Sequence, residues 1–391
     1  MRHNWEYKKL GEVAEIIGGS TPKTNVKEYW DGDYFWITPA ELKGDRFIKS
    51  TSRTITDLAV ENTNLSLLPK GTVLLSSRAP IGKVAIADVP MYCNQGFKNI
   101  ICGEKLNNNY IYWLLYGKTE YLNSLGVGAT FKEISKKIVE NIIIPVPPLP
   151  TQQAIVSELD TLSGIIAECK ETLKDYDALE QSIFYDMFGD PVKNEKGWEV
   201  KKLGEICDVI TKGTTPTTVG FQFLNEGINF VKVESFEEGK LNKTKFAYIS
   251  DECHEALRRS QLLENDILIC IAGATVGKLA LVTKDILPAN TNQACCIIRL
   301  KKEFAVSRKY IFSILQSDYI KRFIESLKKG VAQPNLTLEH VRNFSIPNVP
   351  INLQQTFASK IEAIEQMKEE TKKALQEAET LFQTRMDYWF N

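Results

Sequence analysis

One long apolar stripe occurs twice in this chain, and that duplication restricts the fold more than any other feature. From Thr151 to Met187 apolar residues return every three or four positions, at Ile155, Leu159, Leu162, Ile166, Cys169, Leu173 and Tyr176. That is the spacing of a helix seam of coiled-coil type. Pro145, Pro147, Pro148 and Pro150 precede the stripe, followed by the pair Gln152 and Gln153. Adding 202 to each stripe position gives Phe357, Ile361, Ile364, Lys368, Thr371, Leu375 and Ala378, behind Pro347, Pro350, Gln354 and Gln355. The second copy runs from Leu353 to Trp389, and polar Lys368 and Thr371 show that the two are not interchangeable. Gly189 and Asn391 fall at equivalent ends, and both residue types readily take the left-handed conformation that closes a helix. Each stripe predicts a helix of about 37 residues, roughly 55 Å long.

A second repeat opens each half. Trp5 begins WEYKKLGEVAEIIGGSTPKT, and Trp198 begins WEVKKLGEICDVITKGTTPTT. The offset between the copies grows from 193 at the tryptophans to 195 at Gly82 and Gly277 and 202 at the prolines, so insertions have entered a shared framework. Such insertions belong in surface loops. Between these landmarks short strand patterns alternate with Gly, Pro and Asn punctuation. In the first half they cover Tyr34–Thr38, Thr72–Ser76, Lys83–Ala87 and Asn99–Cys102, with a short helix at Tyr110–Tyr116 and apolar β-branched character from Ile134 to Val146. The second half repeats the order at Asn229–Val233, Asp266–Ile271, Lys278–Val282 and Ala294–Leu300, then a helix over about Lys309–Leu327 and a last segment Leu336–Ile346. The expected fold is α+β: two mixed α/β globules with β-rich cores, at 1–150 and 191–350, and two long helices, at 151–190 and 351–391. An internal pseudo-twofold would make the helices an antiparallel coiled coil with the globules at opposite ends. Packing of each helix on its own globule is the alternative.

Charge is segregated along this plan. Residues 1–150 carry a net +3 and residues 191–350 a net +5, whereas 151–190 carry −7 and 351–391 carry −2. The globules suit a polyanion, and the helices suit spacing or protein docking. No apolar run approaches the roughly 20 residues of a membrane span, and Met1 to Trp5 has no signal-peptide character; a cytoplasmic protein is expected. The eight cysteines form no CxxC pair and lie largely in apolar runs, as small hydrophobes in a reducing compartment do.

Motifs for catalysis are thin. Gly273–Lys278 reads GATVGK but has three residues between its glycines where a phosphate-binding loop needs four, and Leu279 where that loop needs Ser or Thr. A hairpin turn is one reading, and a turn presenting Arg78, Lys83 or Lys278 to a phosphate backbone is the other. His3, His254 and His340 have no companion pattern, and Cys253 beside His254 is adjacency only. No metal or cofactor motif is present, so a non-catalytic protein is expected. Tyr29, Trp30, Tyr34, Phe35, Trp36 and Thr38 lead into Lys43, Arg46 and Lys49, and Asn94–Gln95 matches Asn292–Gln293. Asn and Gln can read adenine edges, and Arg and Lys read guanine or hold phosphate; equally, an Asn-Gln pair can satisfy loop backbone. Trp5 and Trp198 read as core anchors. The candidate DNA contacts are Lys43, Arg46, Arg78, Lys83, Asn94, Gln95 and Lys98 in the first half, and Lys232, Lys243, Arg258, Lys278, Asn292 and Gln293 in the second.

The order of these features, from W-x-x-K-K-L-G-E through a ThrPro loop, a proline cluster and Gln-Gln into a long helix ending PheGlyAspPro at 188–191, resembles the specificity subunit of Type I restriction-modification systems. The resemblance covers essentially the whole chain. It implies that each globule is a target recognition domain reading one half of a bipartite DNA target. The helices would act as a ruler for the unread gap. It also implies two methylation subunits and motor-nuclease restriction subunits as partners, which would carry S-adenosylmethionine, ATP and Mg, with no cofactor on this chain. A coiled-coil scaffold, or the specificity part of a fused restriction-methylation enzyme, are the competing readings.

Overall fold

A computed structural model describes residues 5–128, 132–328 and 335–390. The chain divides into two compact units, Met1–Glu171 with Lys372–Asn391, and Thr172–Thr371. Both stripes are single uninterrupted helices, Leu149–Phe188 and Ile351–Phe390. They begin at the proline clusters because proline tolerates a first helical turn, where its missing N–H leaves no bond unmade. Gly189, at φ +77°, closes the first helix; Asn391 lies outside the described residues.

Unit 1 is built on a five-stranded sheet, in the order Ala14–Gly18, Lys98–Cys102, Val73–Leu75, Val84–Ala87, Phe47–Ile48. Val73, Leu74 and Leu75 are each 0% exposed, so the central strand is covered on both faces. A three-stranded sheet of Arg53–Ile55, Trp30–Ile37 and Tyr92–Cys93 is interleaved with it in sequence. The opening repeat is explained by a third pairing. Glu6–Lys9 runs antiparallel to Ile143–Val146, the strand that feeds the long helix. Leu10 then starts a one-turn helix and is fully buried. Unit 2 repeats the scheme: Cys207–Lys212, Cys295–Leu300, Ile267–Cys270 and Leu279–Leu281 form one sheet. Ala247–Ile249, Ile228–Val231 and Ala289–Thr291 form the second, and Val200–Lys202 pairs with Ser345–Pro347 ahead of buried Leu203.

Three local expectations need correction. The Ile134–Val146 segment is a strand only from Ile143; before it Lys136–Glu140 is a short helix. Its counterpart likewise holds a helix at Leu338–Arg342 before the strand Ser345–Pro347. Ser135 and Thr337 cap these helices by accepting the Ile138 and His340 backbone N–H, and such caps override the β preference of the Ile and Val that come after them. The Lys309–Leu327 helix is two helices, Arg308–Gln316 and Asp318–Lys328, separated at Ser317.

Each unit's core joins sheet, short helices and parts of both long helices. In unit 1 Ile155 and Leu159 of the first long helix cluster with Tyr110, Trp113, Met386 and Phe390. In unit 2 Phe357 and Ile361 of the second cluster with Tyr310, Phe184 and Phe188. Within unit 1 Glu158 meets Arg385 and Lys170 meets Glu379. Within unit 2 Asp177 meets Lys368 and Phe184 meets Phe357. In both the partner number falls as the first helix advances, so the segments run antiparallel. The alternative, that each helix packs on its own globule, describes only its first turns, because Phe184 and Phe188 belong to the core of unit 2 and Met386 and Phe390 to that of unit 1. Trp5 stacks on Trp389 at 6.0 Å, and Trp198 donates to the Phe188 carbonyl at 2.9 Å. Both tryptophans are therefore anchors for helix ends. The repeated glutamines are internal too: Gln152, fully buried, donates to the Lys105 and Pro147 carbonyls, each at 2.8 Å, and Gln354 donates to Val349 at 2.7 Å.

Candidate nucleic-acid interface

In unit 1 the strand Ala14–Gly18 is followed by Gly19, beside the turn Asn94–Gly96 that precedes the strand Lys98–Cys102. A Cβ on Gly19 would lie 2.2 Å from the Cys93 and Asn94 carbonyl oxygens, so only glycine permits this approach. Ser20 N donates to Cys93 O at 2.9 Å, and Pro22 is buried two residues further on. The turn is held by Asn94, whose Oδ1 accepts from Gly96 N at 2.9 Å. Gln95 projects from it, exposed, and its Oε1 accepts from the Thr21 hydroxyl.

Unit 2 builds the same pair of loops. Gly213 would place a Cβ 2.1 Å from Thr291 O, Thr214 N donates to Thr291 O at 3.0 Å, and Pro216 is buried. Asn292 Oδ1 accepts from Ala294 N at 3.1 Å. Exposed Gln293 accepts at Oε1 from both the Thr215 hydroxyl at 2.6 Å and Thr215 N at 3.3 Å. Of the two readings of the Asn-Gln pair, the asparagines hold the turn backbone, and the exposed glutamines are tied at Oε1 to Thr21 and Thr215, in unit 2 through a backbone N–H as well. Burial drives the adjoining thiols of Cys93 and Cys295 up to about 12, which keeps them protonated and inert at neutral pH.

The basic candidates divide by what holds them. Lys43 and Lys278 are exposed, with no ion pair to either among the described residues. Arg78 and Lys98 both grip Glu133, at 2.9 and 3.1 Å. Burial pushes the Glu133 carboxyl up, but the Lys98 and Arg78 hydrogen bonds outweigh it and hold its pKa below the usual carboxylate range. Lys83, in the turn of the hairpin of Val73–Leu75 and Val84–Ala87, donates to Leu42 O at 2.9 Å, and Lys278 sits in the turn of the matching hairpin of unit 2. The GATVGK segment is thus the turn of a hairpin. Lys232 lies 4.2 Å from the Phe223 ring centroid, Lys243 pairs with Asp285, and Arg258 pairs with Glu255 at 3.3 Å.

Arg46 is committed inward. Its guanidinium pairs with Asp160 of the first long helix, donates to Asn109 Oδ1 at 2.7 Å, and lies about 5 Å from the Tyr112 and Trp113 rings. It ties globule to helix. Thr21 and Thr215 are not among the residues singled out by sequence, although the repeated ThrPro and AsnGln dipeptides are the signal that could have paired them. Among the described residues no group of three or more His, Cys, Asp or Glu is placed to hold a metal, and no helix is long and apolar enough to cross a membrane.

A duplicated β-rich unit carrying the same exposed loop pair, with a pair of long helices shared between the copies, defines the class of protein. Residues 2–175 and 195–380 each match the Type I restriction modification DNA specificity domain. The chain belongs to this family. It is 31% identical over 380 residues to the Type I restriction enzyme MjaIX specificity subunit of Methanocaldococcus jannaschii, covering 92% of this chain and 87% of that one. The fold is that of the S subunit from M. genitalium, with TM-score 0.60 and 15% identity over 99% of this chain and 96% of that one. A chain solved in a study of complex assembly and conformational transition of the type I R-M system gives TM-score 0.62 and 20% identity, covering 99% and 97%.

Proposed function

We propose that this chain is the DNA-recognition subunit of a Type I restriction-modification complex and performs no catalysis itself. Each globule, 1–150 and 191–350, reads one half of a bipartite double-stranded target. The helices at 151–190 and 351–391 set the gap and dock two methylation subunits, which in turn work with restriction subunits in the cytoplasm. S-adenosylmethionine, ATP and Mg belong to those partners. The observation that carries this reading is that one exposed Thr-Gln loop pair is built twice, at Thr21–Gln95 and Thr215–Gln293, in units whose surroundings differ. Lys43 and Lys278 supply exposed charge for the backbone, and Arg78, Lys83, Asn94, Lys98, Lys232, Lys243, Arg258 and Asn292 complete or brace the two surfaces; Arg46 braces only the first.

Two weak readers on one stiff support multiply their affinities when the half-site spacing fits. Replacing residues 1–150 by the corresponding globule of another family member tests the modular assignment. Genome-wide mapping of methylated adenine should then show one half of the motif changed and the other retained. A change in both halves, or in neither, would refute it.

A further inference from the structure

The two Thr-Gln pairs have a chemistry narrower than that of a free glutamine. A glutamine amide reads adenine by using both ends, its oxygen for the N6 amino group and its nitrogen for N7. Here the oxygen is already engaged. At Gln293 the assignment of the amide is set by the backbone N–H of Thr215, which can only donate, so Oε1 must face it. The Thr215 hydroxyl then adds a second hydrogen bond to the same oxygen at 2.6 Å. Gln95 shares the hydroxyl contact, its Oε1 accepting from Thr21, without the backbone bond. What remains outward in each unit is the Nε2 amino group, a donor that is open to a ligand; among the described residues it has no hydrogen-bond partner.

The support beneath each amide is rigid. Gly19 and Gly213 let one strand end press on the turn's carbonyls, and Asn94 and Asn292 close the turns. A donor held this way loses little conformational entropy on binding.

The internal repeat indicates what this donor meets. Where Gly18 pairs with Lys98 in unit 1, Lys212 pairs with Cys296 in unit 2, so the charged residue beside the turn has moved to the other strand. The Thr-Gln pair has not changed. A contact kept in both units while the charged residue beside it changes strand fits what every duplex has in common, and an outward amide donor matches the phosphate oxygens. We infer that Thr21–Gln95 and Thr215–Gln293 form a duplicated, sequence-independent phosphate clamp, with each glutamine Nε2 donating to a backbone phosphate and each threonine acting as its positioning residue. The inference rests on the DNA-recognition reading above.

The full chain, assembled with its methylation subunits, is titrated with target and unrelated duplexes across a salt series, as Gln95→Ala, Gln293→Ala and the double variant. Each single substitution should weaken binding to both duplexes by a similar factor, about five-fold for one neutral hydrogen bond, and the double variant by about the product. The slope of log affinity against log salt should stay unchanged, because a neutral amide releases no counterion. The methylated motif should be the same in all variants. Thr215→Val, which removes the hydroxyl bond but keeps the backbone N–H, should give part of the Gln293→Ala loss and Thr215→Ser should restore affinity, which separates positioning from a folding defect. A motif relaxed at one base, or affinity untouched for both duplexes, would overturn the clamp while leaving the DNA reading intact. Failure of the unaltered complex to bind DNA would overturn both.

Discussion

The two units hold their long-helix segments with matching apolar residues and unmatched charges. In unit 1 Phe390 packs 5.7 Å from Tyr110, whose hydroxyl donates to Pro145 O at 3.1 Å. In unit 2 Phe188 packs 4.6 Å from Tyr310, whose hydroxyl donates to Pro347 O at 2.8 Å. Ile155 and Phe357 occupy the corresponding stripe positions, both fully buried. The ion pairs obey no such symmetry. Unit 1 uses Arg385 with Glu158, but 202 places along, Glu158 corresponds to Lys360 and Arg385 to Ile183. Unit 2 uses Lys368 between Asp177 and Glu180, and Lys368 corresponds to Ile166. Non-directional burial supplies the stability common to both. The charges make each helix complementary to the other copy and not to itself, the role polar residues play in setting coiled-coil partner and register.

If that division is right, the largest effects come from the shared positions and should be equal. Phe188→Ala and Phe390→Ala should each destabilise by about 3–5 kcal/mol, the usual cost of emptying a buried phenylalanine site. Denaturant unfolding of the full chain measures both. A large loss at Phe188 with less than about 1 kcal/mol at Phe390 would break the equivalence.

A smaller effect belongs to Lys368, whose side chain is 15% exposed against 28% for Glu180 and 72% for Asp177. Burial alone would lower its pKa; the Asp177 and Glu180 carboxylates override that and the net shift is upward. Lys368→Met keeps the packed stem and leaves the two acids facing each other unpaired. It should cost about 1–2 kcal/mol, discounted because Asp177 is well solvated. A neutral or stabilising result would mean that the ion pair contributes nothing to pairing.

These two tests also mark what could be read from residues alone. The stripes were legible because a period repeated over about ten turns of helix is a local property, and their duplication needed only the chain itself. The strand Glu6–Lys9 was visible as a repeat but not as the partner of Ile143–Val146, since nothing local encodes a pairing across so much chain. Arg46 shows the same limit: an exposed-looking arginine after an aromatic run reads as a DNA contact, and its acceptor Asp160 stands 114 residues away. Gln95 was found from the Asn-Gln repeat, yet the threonine 74 residues away that restricts its chemistry was not. Short helices such as Lys136–Glu140 were missed because the β-branched residues outweighed a single Ser cap in the reading, though not in the fold.

The smallest effect sharpens the comparison by pH. The Arg385 guanidinium, hydrogen-bonded to Glu158, holds that carboxyl below its usual range; burial opposes this and the Trp389 N–H, at 2.9 Å, assists it. A carboxylate whose folded pKa lies below its unfolded value of about 4.3 contributes stability that is fully present above that value. The contribution is lost as the pH falls through the folded pKa. Lys368 has the opposite sign, so the stability linked to its own titration is present below its ordinary pKa and is lost as the pH rises through its elevated one. Glu158→Gln should therefore cost about 0.5–1 kcal/mol at pH 6, and that penalty should hold at pH 5 and shrink as both proteins are unfolded at pH 4 and 3. A penalty that stays constant down to pH 3 would show that Glu158 is held by shape and hydrogen bonding alone, and that the charge on Arg385 does not distinguish unit 1 from unit 2.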